Sequence, residues 1–299
     1  MKREGGRIDH ARVRVVATGE RGLHALEAML SGNLYGADFI AIHTQMTQAV
    51  KSAVSTQIFA SDGGDDDDRP AEERPFPSAA RQKLYHALSG ADMVILVTSL
   101  ETAACARVAQ VVIETTRALD MMSALVVIRP FPAHLQETTH THMALLQCDV
   151  DLLLVIGAQT AAWQQTELDV VRTIHALNNL VNASGLINLD LADLKSTTGG
   201  QGTAILTTGE AQGTQYARRA ARRALYAHSQ GRGIHGARRL LLHLTIGPEA
   251  NLTDVQDATR ILQDVIHPEA NIILGVTVDP RFSSKLAVTA VAADFSTEA

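Results

Sequence analysis

Short apolar runs recur along the first half of the chain: Val13–Val16, Phe39–Ile42, Met93–Thr98, Ala124–Ile128 and Leu152–Ile156. Each is nearly continuous in apolar residues rather than alternating, the pattern of a strand covered on both faces. Longer amphipathic or Ala-rich stretches separate them, and this strand–helix rhythm predicts a parallel sheet with helices on both sides. At Leu168, Val171, Ile174, Leu177 and Val181 the apolar spacing approaches 3.6 and predicts one long, largely buried helix over 161–183. Beyond it the pattern predicts strand Thr203–Thr208, helix Thr214–His228, strand Arg239–Ile246, helix Thr253–Ile266, and strands Asn271–Asp279 and Lys285–Ala293. A short Pro-containing link joins the last two runs, so an antiparallel hairpin is expected there. The chain thus divides into an α/β unit over 1–160, a central helix over 161–183 and an α+β unit over 184–299.

Composition narrows the classes. A chain of 299 residues with 46% hydrophobic content can bury a sizeable core. It has no uninterrupted apolar stretch of about 18 residues, and its start, Met1 to Arg7, is charged with no apolar signal region behind it. Direct membrane insertion is therefore not expected, and the cytoplasm is the expected address. A net charge of −6 argues against nucleic acid or an anionic membrane as a general partner. Cys105 and Cys148 form no Cys-x-x-Cys pair and read as small core residues.

Three clusters invite other readings. The segment Asp62–Pro77 holds four consecutive aspartates and three prolines, which predicts a mobile surface loop; its spacing lacks the glycine and terminal glutamate of an EF-hand. His140 and His142 point apart on a helix, so with His134 they do not predict a metal site. Arg218, Arg219, Arg222 and Arg223, with Arg232, Arg238 and Arg239, concentrate positive charge on a solvated face or a surface for an anionic partner, a membrane or an acidic protein.

Several segments, taken in order, carry a resemblance: Gly90 to Val94, Arg129 to Phe131, Gly185 to Lys195 (Gly-Leu-Ile-Asn-Leu-Asp-Leu-Ala-Asp-Leu-Lys), Gly236 to Arg238 and Pro268 to Gly275. Together they resemble FtsZ, the tubulin relative, over nearly the whole chain, and residues 185–195 are the most specific part. The resemblance implies the FtsZ/tubulin-like α/β fold: a nucleotide-binding-type domain, here 1–160, a long central helix, and an activation-loop and α+β domain. It further implies head-to-tail filaments with itself or another FtsZ, GTP/GDP and magnesium as cofactors, and a place at the division site. Asn188, Asp190 and Asp193 match family positions that reach the nucleotide of the neighbouring subunit, where carboxylates orient the attacking water. Asp190 or Asp193 also reads as a helix cap. Trp163 and Glu167 fall where the family stacks an aromatic on guanine and reads its N–H edge; a core aromatic is the alternative.

The phosphate loops depart from that pattern. Crowding backbone N–H groups around phosphates requires glycine-rich turns at helix N-termini. The first turn reads Ala17-Thr18-Gly19-Glu20-Arg21-Gly22-Leu23-His24 and keeps Gly19 and Gly22. It reads three ways: an ordinary strand-to-helix connection, an anion position filled by Glu20, or residual phosphate binding through Arg21. The family's all-glycine signature falls on Glu101-Thr102-Ala103-Ala104-Cys105-Ala106-Arg107, without one glycine. Pro132 to Leu135 and His43-Thr44-Gln45 replace two further sets of family contacts. The expectation is an FtsZ-like division filament subunit with an impaired GTP site that caps or modulates a GTP-binding partner. The alternatives are a divergent but active GTPase forming the division ring and a nucleotide-free structural remnant. The resemblance implies anchoring through partners that bind a C-terminal peptide; with only a short stretch read after Ala293, tethering by that route is not expected.

Overall fold

A computed structural model describes residues 11–31, 37–44, 54, 56–60, 76–129, 133–147, 149–157, 163–182, 185–199, 204–226 and 233–295. The expected stretch 62–75 and Cys148 lie outside the described residues. Six strands, β1 (Val13–Thr18), β2 (Ala37–His43), β3 (Thr56–Phe59), β4 (Met93–Thr98), β5 (Met122–Arg129) and β6 (Leu152–Gly157), form one sheet in the order β3-β2-β1-β4-β5-β6. Every neighbouring pair is parallel. Helices α1 (Gly19–Ser31), α2 (Ser78–Leu88), α3 (Ala103–Ala118) and α4 (Ala133–Leu146) connect them. Alternate residues of each strand enter different cores: Val13, Val15 and Ala17 pack with α1, while Val16, Ile40, Leu96 and Leu125 pack with α2 and α3. Apolar side chains are needed on both faces, which explains the unbroken runs. β3, which has no strong run of its own, joins as a four-residue edge strand.

From β6 the chain enters α5 (Trp163–Asn182). Its buried row is Val170, Ile174, Leu177 and Leu180, whereas Leu168, expected inside, is 49% exposed. The inward stripe is thus rotated from the expected one. The same core takes in Leu206, Leu241 and Val291 of a second sheet, so α5 lies between two sheets. A helix surrounded on both sides needs the wide apolar stripe that the periodicity shows.

The second unit holds α6 (Leu191–Thr198), β7 (Ile205–Gln212), α7 (Tyr216–Tyr226), β8 (Ala237–Ile246), α8 (Leu252–Gln263), β9 (Asn271–Val278) and β10 (Lys285–Phe295). Its sheet runs β7-β10-β8-β9, with β8 and β9 parallel and β10 antiparallel to both β7 and β8. The expected hairpin of the last two strands does not form. Instead a 3-10 turn at Pro280–Phe282 carries the chain across the end of β8, where Gly247 leaves room for the Phe282 carbonyl that a Cβ would overlap. β10 is apolar on both faces, with Leu286, Val288 and Ala290 in one core and Val291 and Ala293 in the other, and therefore belongs in the centre. β9 has only half-buried Ile272, Ile273 and Leu274 at its start and serves as an edge.

Candidate functional site: a crevice and a loop at opposite ends

In an open parallel sheet, ligands bind beyond the carboxyl ends of the strands where strand order reverses. Here that point lies between β1 and β4, and the turns entering α1 and α3 meet there. Gly19 sits directly after β1 with φ +74°, and a Cβ on it would lie 3.0 Å from Cys105 Sγ and 3.3 Å from Ser99 Oγ. A Cβ on Gly22 would lie 2.6 Å from the Val97 carbonyl oxygen, so this glycine lets α1 lie against β4. Both glycines have packing reasons to be present that require no phosphate.

The charged groups at the mouth pair with each other. Arg21 Nε donates to Glu101 Oε1 at 2.7 Å, joining the two turns, and both side chains are mostly buried, at 26% and 20% exposed. Glu20 is exposed. Beneath the pair, Leu100 is fully buried with φ +51°, in the left-handed region that a branched-chain residue rarely adopts. Thr102 caps α3, its Oγ1 accepting the Cys105 N–H at 3.2 Å, and burial pushes the Cys105 thiol above its usual range. A first-turn N–H that could have faced an anion is thereby taken by the chain's own hydroxyl.

The neighbouring positions are also engaged in the fold. His43 is fully buried at the end of β2, stacked on Phe59 with ring centroids 4.9 Å apart and Nε2 3.0 Å from Gln57 Oε1. His142 Nδ1 lies 2.9 Å from the Leu100 carbonyl oxygen, and among the described residues no three metal-ligating side chains converge. Trp163 is the first residue of α5 and Glu167 lies one turn further, half-buried. The Trp163 side chain lies outside what is described, so the two are placed together only by helix position.

The second region is residues 185–195. α5 packs along α1 and the first sheet, and its 20 residues at 1.5 Å each run about 30 Å onward from the side of β6. There the loop joins the edge of β9 like a short added strand. Ile187 and Val276 exchange backbone hydrogen bonds of 3.2 and 2.9 Å, and Gly185 and Leu189 lie against Thr277 and Gly275. A Cβ on Gly185 would overlap the Val276 carbonyl oxygen, and one on Gly275 would displace the Leu189 side chain. Asn188 Oδ1 accepts the Gly185 N–H at 2.7 Å. Asp190 and Asp193 form a reciprocal capping box at the start of α6, Asp190 Oδ1 accepting the Asp193 N–H at 2.9 Å and Asp193 Oδ2 the Asp190 N–H at 3.0 Å.

The capping reading and the catalytic reading are compatible, because the box uses one oxygen of each carboxylate. Asp190 and Asn188 are exposed, and beside them stand Leu186 at 75% and Ile187 at 49% exposure. The loop is a fixed, outward-facing edge with two carboxylates one helical turn apart. Among the described residues no helix is long and apolar enough to cross a membrane.

Neither the Arg21–Glu101 pair nor the αL leucine was read from the sequence. Residues 21 and 101 are opposite charges in two turns that the strand order brings to one point, which is the signal that could have paired them.

Residues 202–296 match the model of the FtsZ family, C-terminal domain. Over 309 aligned residues the chain is 26% identical to the cell division protein FtsZ of Azotobacter vinelandii, covering 96% of this chain and 78% of that protein. In structure it resembles FtsZ from M. jannaschii, with a TM-score of 0.82 and 22% identity, covering 96% of this chain and 92% of the other. It also resembles CetZ2 from Haloferax volcanii, solved as a GTPγS-bound protofilament, with a TM-score of 0.73 and 15% identity, covering 96% and 94%.

Proposed function

As a member of the tubulin/FtsZ superfamily, this chain is an FtsZ/tubulin-like cytoskeletal protein, and we propose that it acts as a filament subunit whose own phosphate crevice is closed and whose 185–195 loop works on a GTP-binding partner. The observation that carries this reading is the Arg21–Glu101 pair across the switch point. A triphosphate with magnesium does not fit these residues: Glu101 would repel it, Cys105 stands against Gly19, and Thr102 already holds the α3 N-terminus. The family pattern implied by the resemblance has glycines at 101–107 where this chain has none.

The other end supports a role in trans. A head-to-tail filament joins unlike faces, so a subunit with one competent face docks at one end of a partner's filament. On docking, the capping-box oxygens of Asp190 and Asp193 left outside the cap orient and polarise the water that attacks the partner's nucleotide, acting as base and positioner. Asn188 also holds the loop, its Oδ1 accepting the Gly185 N–H, and as an exposed side chain it stands with the two carboxylates at the docking face. The relative in A. vinelandii is a cell division protein, which supports cell division as the process; the division site as the location is part of the proposal.

The test is to add this chain to filaments of a GTP-hydrolysing FtsZ and follow filament length and GTP turnover. Shorter filaments with raised turnover per subunit are expected. Unchanged length and turnover would rule the proposal out.

A further inference from the structure

The basic face of α7 has no part in the filament reading. α7 is a rigid platform: Ala217, Ala220, Ala221 and Ala224 are buried against the sheet, and Gly209 of β7 lets the helix backbone press down where any Cβ would overlap Ala220 and Ala224. Tyr216 Oη donates to Asp254 Oδ2 at 2.7 Å and fixes the helix to α8, while burial and that carboxylate push the phenol up to about 12. Arg218 pairs with Asp257.

The remaining arginines are held but not neutralised. Arg219 donates to the Gln212 carbonyl and Arg223 to the Glu210 carbonyl, both on edge strand β7. Arg222 is exposed, and none of the three forms an ion pair among the described residues. Bonds to neutral carbonyls orient a guanidinium and reduce the entropy cost of engaging it, yet leave its full positive charge facing solvent. Such a group is prepared for carboxylates.

The same chain supplies them. Between Asp62 and Arg74 stand seven carboxylates, Asp62, Asp65 to Asp68, Glu72 and Glu73, against two arginines. We propose that the Arg219–Arg222–Arg223 face of α7 is a contact surface that takes the acidic 62–74 segment of a second copy of this chain. Contact of this kind would be electrostatic and would not use the 185–195 loop, and it does not rest on the function proposed above.

The test is sedimentation velocity of the full chain at low ionic strength and at about 1 M salt, where the Debye length falls to about 3 Å. Self-association at low salt that disappears at high salt is expected. Arg222→Glu, whose side chain makes no hydrogen bond or ion pair among the described residues, should weaken it about threefold, and Arg219, Arg222 and Arg223 all changed to Glu about tenfold or more. Changing Asp65 to Asp68 to Lys should weaken it likewise, and mixing that variant with the arginine-to-glutamate variant should recover association. Asp193→Asn should leave it unchanged, which separates this contact from the filament joint. A monomeric wild-type chain at low salt, or failure of the mixed pair to recover, overturns the proposal. Pelleting with phosphatidylserine vesicles that depends on Arg222 but not on the aspartates would overturn it in favour of a lipid surface.

Discussion

The crevice between β1 and β4 and the loop at 185–195 both present acidic side chains at helix N-termini, and they use them in opposite ways. At the crevice, Glu101 turns inward to Arg21 and the α3 N-terminus is capped by Thr102. At the loop, Asp190 and Asp193 satisfy each other's N–H groups yet remain at the surface beside exposed Leu186 and Ile187. The first arrangement consumes its charge within the fold; the second holds it in fixed geometry facing outward. Acidic residues at a helix start therefore carry no functional meaning until their partners are known. What distinguishes the two regions is whether a counter-charge sits across from them.

The largest effect should come from the loop. Asp193→Asn keeps an acceptor for the Asp190 N–H but removes the charge, so the cap and the melting temperature should be retained. Stimulation of a partner's GTP turnover should fall by between about 10² and 10⁴-fold, the range for a lost general base. An Asn variant as active as wild type would reduce the loop to a structural cap.

His243 tests whether the loop side is built separately from the crevice. It is 4% exposed on β8 with Nε2 2.9 Å from Thr277 Oγ1 of β9, the strand against which Gly185 packs, and burial lowers its pKa to about 4. The folded value lies below the unfolded value of about 6.5, so the unfolded chain takes up the proton first. Stability is full above pH 6.5 and declines as pH falls towards 4, by about 3 kcal/mol in all. Denaturant titrations across that window should show this decline for wild type. In His243→Gln, whose side chain does not titrate there, the slope should be shallower by that amount. Equal slopes would place the imidazole in water.

Gly22→Ala sharpens the comparison on the crevice side. A methyl 2.6 Å from the Val97 carbonyl oxygen forces α1 off β4 and should cost about 1–3 kcal/mol, read from the denaturant midpoint. A neutral result would mean that the glycine is kept for some other reason, such as close approach of a ligand. The smallest effect belongs to the Arg21–Glu101 pair. A double-mutant cycle with Arg21→Gln and Glu101→Gln should give a coupling of about 1 kcal/mol that shrinks with salt. Zero coupling would leave the crevice unlatched.

Much of this was legible from the chain, and the parts that were not share a cause. Runs such as Met93–Thr98 and the 3.6-residue spacing after Ala161 mark elements whose pattern is set by burial on known faces, and the structure has a strand at Met93–Thr98 and a helix at Trp163–Asn182. The loop was legible because a long contiguous motif encodes it. The placement of β9 and β10 was not, since pairing order depends on which strand is apolar on both faces, and Pro280–Phe282 has the composition of a hairpin link although Gly247 lets it cross the end of β8. Leu168 pointed outward for a similar reason: periodicity gives a stripe but not the rotation that two facing sheets impose. The Arg21–Glu101 pair joins residues 80 apart, and only the strand order brings them together.

The measurement that bears most directly on the proposed closure of the crevice is calorimetric titration of the nucleotide-stripped chain with GTP and GDP in the presence of magnesium. No heat of binding is predicted up to roughly millimolar nucleotide, a free energy weaker than about −4 kcal/mol. Binding at roughly micromolar concentration, about −8 kcal/mol, together with GTP turnover by the chain alone that Asp193→Asn abolishes, would contradict it and make the protein a GTPase in its own right.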